Sequence, residues 1–251
     1  MIFRSSILPS AAVLVAIATV ASSACGDTND QFTKANQEYA DGKFKEAATD
    51  YESLVKSADW SAALFYNLGN AYFRSGDFGK AILNYERALA LEPNHPEAQA
   101  NLRIARDEAR ALELAPSWPD RFIHSATVNQ LSVAAAILFW GGVFFFTFFF
   151  LSKRRRIGGL ALGICCLLGS AALVALLYAT EEGPRGKALA IVTAPEINAR
   201  LATADTASTV LALPAGSQIK VEQQRGDWVY ALLPNNLHGW LPANAIQPVR
   251  L

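Results

Sequence analysis

The chain has 251 residues with 22 basic and 22 acidic side chains, so zero net charge gives no reason to expect nucleic acid, and the run Lys153–Arg156 is the one basic cluster. Hydrophobic residues reach 52% because long apolar runs are averaged with ordinary soluble segments. The cysteines Cys165 and Cys166 are adjacent within an apolar run and Cys25 stands alone, which excludes a disulfide framework. No CxxC or Cys/His cluster offers ligands for zinc or haem, and no cofactor is expected.

Residues 1–24 read as a signal peptide: Arg4, an apolar run from Ile7 to Val20, then small residues before Cys25. Cleavage after Ala24 would leave Cys25 first, where lipidation is conceivable, although the residues before it match a lipoprotein box poorly. Cleaved or kept as an anchor, the segment sends the following residues out of the cytoplasm.

Residues 31–114 repeat with a period of 34. Ala35 and Asn36 align with Gly69 and Asn70, Gly42 with Gly76, Phe44 with Phe78, Ala47 with Ala81 and Tyr51 with Tyr85. Small residues at Gly69, Ala81 and Ala88 let two antiparallel helices approach, Tyr72, Phe78 and Tyr85 fill the space between them, and Pro93 ends the second helix. The second copy resembles the tetratricopeptide repeat, with Leu68, Gly69, Tyr72, Ala81, Ala88 and Pro93 in the expected places. The first copy is degenerate: Tyr39 lies one place off the alignment with Tyr72, and Leu54 stands where Ala88 does. After Pro96 a helix with Leu102, Ala105, Ala109 and Leu112 on one face and Arg103, Arg106 and Arg110 on another is expected to cap the stack. The arginine face reads either as solvated or as a docking stripe.

What the repeat resemblance implies is a groove that holds a peptide. Its inward positions fall on Phe32, Asn36 and Tyr39 in the first copy and on Tyr66, Asn70, Phe73 and Arg74 in the second. Asn36 and Asn70 have two open uses, a hydrogen bond to a bound backbone or one between helices of the repeat. The paired lysines of repeats that clamp a terminal carboxylate are absent.

Residues 115–130 carry prolines, Trp118 and Phe122, and read either as a segment on the bilayer surface or as a plain linker. Apolar runs at 131–151 and 157–180 each match the roughly 30 Å bilayer core at about 1.5 Å per residue. The turn at 152–156 between them holds Lys153, Arg154, Arg155 and Arg156. Four cations cannot stay at bilayer depth, so they predict a helical hairpin with its turn in the cytoplasm and both flanks on the opposite side.

Residues 187–251 lose the helical pattern. About six short runs rich in Val, Ile, Leu and Trp, separated by turn residues, predict a small β-barrel. IleAsnAlaArg at 197–200, GlyAspTrpVal at 226–229 and GlyTrpLeuPro at 239–242 resemble a bacterial SH3-like domain, a family whose barrels bind cell-wall peptides or proteins. Trp228 and Trp240 have two uses: filling the small core, which is the simpler, or forming an aromatic binding surface.

His95, His124 and His238 lie in three different segments without a partner at motif spacing, and no GxxxxGKS phosphate loop occurs. The residues thus point away from catalysis. The expected fold is a multidomain membrane protein: an all-α tetratricopeptide-repeat domain, a transmembrane α-hairpin and an all-β SH3-like barrel. That order of parts resembles the Bat-type aerotolerance membrane proteins of bacteria. The resemblance implies an inner-membrane scaffold with both soluble domains outside the cytoplasm, working with von Willebrand A-type membrane proteins and a MoxR-type ATPase. The rival reading is a peptidoglycan-binding or wall-sensing module with the repeats as spacer.

Overall fold

The computed structural model describes residues 30–57, 60–115, 128–151, 157–181, 186 and 188–250. The signal segment 1–24, Cys25, the basic turn Lys153–Arg156 and most of the 115–130 approach lie outside the described residues. The chain divides into two compact units, the first ending at Ala109 and the second beginning at Arg110.

The first unit is helical: α1 (30–40), α2 (Phe44–Lys56), α3 (Ala62–Ser75), α4 (Phe78–Leu91) and α5 (Pro96–Ala109). Local chemistry sets the boundaries. The Ser61 side chain accepts the Leu64 N–H at 3.1 Å and starts α3, and the Asp77 carboxylate accepts the Lys80 N–H at 3.1 Å and starts α4. Pro96 opens α5, where a missing N–H leaves no helical bond unmade. Gly76 ends α3 at φ 85°, Gly42 turns the chain after α1 at φ 81°, and Arg110 follows α5 at φ 51°. These three left-handed residues are spaced by 34, so α5 is in phase with the two repeats before it.

Small residues bring the helices together. Ala35, Ala47, Ala71, Ala81 and Ala88 are fully buried, and Tyr51 and Tyr85 are the largest buried side chains between them. A Cβ placed on Gly69 would lie 2.7 Å from two ring carbons of Tyr85, so that position admits no side chain without displacing the ring. Buried positions recur on α5, where Ala98, Leu102 and Ala105 follow Leu64, Leu68 and Ala71 by the same period.

The α5 helix is shorter than the sequence reading expects. It ends at Ala109, and Leu112 leaves the helix for the second unit. The left-handed turn at Arg110 redirects the chain, and residues 111–115 belong to no helix or strand, with Leu114 buried and Glu113 exposed.

The second unit contains α6 (Val128–Leu151) and α7 (Ile157–Glu181), both long and apolar enough to cross a membrane. Only 11% of the most apolar window of each is buried, unlike the core helix of a soluble domain. They pack on one another through small residues. A Cβ on Gly142 would lie 2.7 Å from Leu167, one on Gly163 would lie 3.3 Å from the Gly142 carbonyl, and the Ser170 hydroxyl donates to the Ala135 carbonyl at 2.9 Å. Phe144, Phe146, Phe148 and Phe150 remain exposed on α6.

The rest of this unit is antiparallel sheet: β1 (Leu189–Val192), β2 (Glu196–Arg200), β3 (Thr209–Pro214), β4 (Gln218–Arg225), β5 (Trp228–Leu232), β6 (His238–Pro242) and, after a short 3-10 turn, β7 (Ile246–Pro248). Its order is β3-β2-β6-β5-β4-β1-β7. The sheet folds over one core in which Val192, Ala199, Leu213, Ile219, Val229, Leu233 and Leu241 meet. The expected barrel is not closed, since β3 and β7 are edges that do not pair with each other. The three-residue β7 carries Pro248, which has no N–H to extend the ladder.

Candidate functional site

The inward positions of the repeat unit form two equivalent sets. Asn36 Oδ1 accepts from the Tyr51 hydroxyl at 2.6 Å and from Asn67 Nδ2 at 3.1 Å. Asn70 Oδ1 accepts from the Tyr85 hydroxyl at 2.7 Å and from Asn101 Nδ2 at 2.9 Å. All three partners shift together by one repeat, from Asn36, Tyr51 and Asn67 to Asn70, Tyr85 and Asn101. The asparagine oxygens therefore do the structural work of joining helices. Among the described residues no hydrogen bond uses the Nδ2 of Asn36 or Asn70, so each amide keeps a donor for an incoming carbonyl.

Aromatic contacts repeat in the same way. Phe32 meets Tyr51 with ring centroids 5.8 Å apart, as Tyr66 meets Tyr85 at 6.1 Å. Tyr39 packs edge-on to Phe44 at 5.2 Å, as Phe73 packs on Phe78 at 5.5 Å. Tyr39 is thus the counterpart of Phe73 rather than a displaced Tyr72. Arg74 lies over the Phe44 ring at 4.6 Å and ties the second copy to the first. Phe32, Tyr39, Tyr66, Asn70 and Phe73 are half-buried, and Asn36 and Arg74 are exposed.

Asn67 and Asn101 are absent from the sequence-derived set, although the same period of 34 marks them. Glu52 and Glu86 form another such pair: Glu52 accepts from the Tyr72 hydroxyl and Glu86 from the Arg106 guanidinium, at equivalent positions. Arg106 is consequently a packing residue and no part of a solvated stripe, while Arg103 is exposed. Burial raises the Tyr51 phenol to about 12 and pushes Tyr85 and Tyr72 further up, with the hydrogen bond to Glu52 adding to the rise at Tyr72. Burial also lowers the Arg87 guanidinium to about 10.

On the sheet, strand alternation decides where the tryptophans go. Val229 and Ala231 of β5 and Gly239 and Leu241 of β6 face the core, which leaves Trp228, Tyr230, His238 and Trp240 on the outer face. Neither tryptophan enters the core; both are half-buried outside it. The register sets Tyr230 opposite Trp240, with centroids 5.0 Å apart, and the His238 ring stacks on Tyr230 at 5.4 Å. His238 Nε2 lies 3.3 Å from Glu222 Oε2. Gly239 is where β2 crosses: a Cβ there would stand 3.0 Å from the Ala199 Cβ. Glycine before Trp240 thus holds the strand in close enough to present the indole outward.

The third feature of the second unit joins segments far apart in sequence. Gln218 donates its backbone N–H to the Leu112 carbonyl at 2.9 Å, the Leu112 N–H donates to Ser217 Oγ at 3.1 Å, and the Leu114 N–H donates to Gln218 Oε1 at 3.3 Å. Leu112 also packs against the sheet core.

Among the described residues no group of three His, Cys, Asp or Glu side chains is placed to hold a metal. His95 sits beside Tyr66 at 4.9 Å and 3.1 Å from Glu97, at the start of α5.

The geometry of α3 and α4 defines the first unit as a helical-hairpin repeat. More particularly, residues 62–95 match the tetratricopeptide repeat, a repeat that holds protein partners. Comparison with curated proteins gives no match.

Proposed function

We propose that this protein is a non-enzymatic membrane scaffold whose repeat groove takes an extended segment of a partner protein. The single observation that carries this reading is the tetratricopeptide match at 62–95 together with the duplicated asparagine sets, each with its amide NH2 group left over beside aromatic walls. A chain laid along α1 and α3 meets Asn36 and Asn70 at corresponding places, with Phe32, Tyr39, Tyr66 and Phe73 as apolar contacts and Arg74 as a cation for an acidic residue.

The hairpin of α6 and α7 crosses the bacterial inner membrane in this reading, with the Lys153–Arg156 turn inside and both flanks on the extracytoplasmic side. The bonds from Leu112 to Gln218 support a common side for the flanks, because segments on opposite faces of a bilayer cannot touch. Placement beside von Willebrand A-type membrane proteins and a MoxR-linked ATPase, in aerotolerance or envelope stress, follows from the Bat-type order of parts. The test is copurification from detergent. The full chain should recover von Willebrand A-type membrane proteins and a chain lacking residues 30–109 should not; no recovery, or equal recovery by both, contradicts the proposal.

One observation favours a second reading, binding of peptidoglycan by the sheet: Trp228, Tyr230 and Trp240 lie on the outer face, where aromatic rings meet ligands rather than one another's core. Full chain in nanodiscs should then sediment with purified peptidoglycan, and the Trp228→Ala, Trp240→Ala double variant should not.

A further inference from the structure

Residues 110–115 have no business in a helical repeat and are not free chain either. Leu112 and Leu114 bond to residues 105 and 104 positions away, and both partners belong to the unit that begins at Arg110. We propose that the start of β4 is a docking site for an extended Leu-x-Leu segment, occupied by the chain's own Leu112–Leu114.

The site has the parts such a segment needs. Strand β4 pairs with β5 only from Lys220 onward, opposite Leu232, so the backbone N–H of Gln218 is left for another acceptor, and it takes the Leu112 carbonyl at 2.9 Å. Ser217, 0% exposed, accepts the Leu112 N–H through Oγ, and the amide oxygen of Gln218, a residue 7% exposed, accepts the Leu114 N–H. Two side chains thus continue a ladder that β5 has left. Period-2 alternation then does the sorting: Leu112 packs on the sheet core, Leu114 is 9% exposed, and Glu113 between them faces solvent.

Arg110 delivers the segment. At φ 51° it stands at the repeat position of Gly42 and Gly76, but residues 111–115 beyond it form no second helix. The ligand class is an extended peptide with leucines two apart and a backbone that offers one carbonyl and two N–H groups. A second such peptide binds only when the resident one leaves. The start of β4 is therefore covered by chain that precedes the α6–α7 hairpin, while all seven strands of the sheet follow it. The consequence for membrane topology rests on the hairpin crossing the membrane as proposed; the docking site itself does not.

The test uses the full chain in nanodiscs and a labelled peptide with the sequence of residues 109–115, followed by fluorescence anisotropy. A tethered resident competes at about millimolar effective concentration. The Leu112→Asp chain should therefore bind the peptide at least about tenfold more tightly than the unmodified chain. Equal affinity overturns the proposal, as does no binding to a Leu112→Asp chain that retains the parent's sheet circular dichroism. Should Leu112→Asp fail to fold, hydrogen exchange on the unmodified chain decides. Amides of Leu112, Leu114 and Gln218 should exchange about a hundredfold more slowly than free chain, and exchange at free-chain rates overturns the docking site whatever the hairpin does in the membrane.

Discussion

The repeat unit and the sheet unit reach stability by opposite routes. In the first, contacts join adjacent helices and several are made twice: Tyr51 to Asn36 and Tyr85 to Asn70, Glu52 to Tyr72 and Glu86 to Arg106. In the second, β2 lies between β3 and β6, β1 lies between β4 and β7, and the start of β4 takes Leu112 from the far side of two apolar helices. In a periodic unit the loss of one contact is felt in its own repeat and at the interface with the next. The sheet has no spare copy, and although β2–β3, β4–β5 and β5–β6 pair as sequence neighbours, β2–β6, β1–β4 and β1–β7 join strands that are not consecutive.

The largest break is expected at Tyr85. Tyr85→Ala removes a fully buried ring that fills the space at Gly69 and anchors Asn70. It should cost the repeat unit about 3–5 kcal/mol, read as faster hydrogen exchange across α3 and α4 with β4–β6 unchanged. Gly69→Val attacks the same contact from the other side, forcing atoms to within 2.7 Å of the ring, and should cost about 1–3 kcal/mol by overpacking.

Alkali should separate the two units further. The phenols of Tyr51, Tyr72 and Tyr85 are held above their ordinary 10.0, first of all by burial. In the unfolded chain they ionise near that value while the folded unit keeps them protonated. Their contribution is thus fully present below pH of about 10, and falls as pH rises through the folded value of about 12 at Tyr51. Helical signal should fall across that window, and the Tyr51→Phe, Tyr85→Phe double variant should flatten the fall while lowering neutral-pH stability by about 1 kcal/mol per hydroxyl. The smallest effect is expected at Arg110→Gly. It relieves a left-handed residue at φ 51° and should stabilise the turn by up to about 1 kcal/mol, measured as slower exchange at Leu112.

Much of the repeat unit was legible because its information is periodic. Asn36 and Asn70 are marked by the spacing itself, and so are Asn67 and Asn101 once the period is extended past α4. Tyr39, one place off the alignment with Tyr72, packs against Phe44 as Phe73 packs against Phe78, its counterpart at the period of 34. The helix reading over Leu112 failed for a different reason. Leu102, Ala105, Ala109 and Leu112 do fit a helical face, and nothing in that pattern reports that the repeat turn falls at Arg110. On the sheet, GlyAspTrp and GlyTrp located the strands, but which face the indoles take is fixed by register with β2. The close approach of Gly239 to Ala199 turns Gly239 inward and Trp240 out. Closure of the barrel was not legible, since it depends on β7 being only three residues long and ending at Pro248.

The most direct test of the scaffold reading is photo-crosslinking in native membranes, with a photoreactive residue placed at Tyr66, Asn70 or Phe73 in the groove and, for comparison, at Arg103 on the exposed face of α5. Adducts to a von Willebrand A-type membrane protein from the three groove positions and none from Arg103 are the result expected of a groove that holds a partner segment. No such adducts from the groove, or the same adducts from both faces, would contradict it.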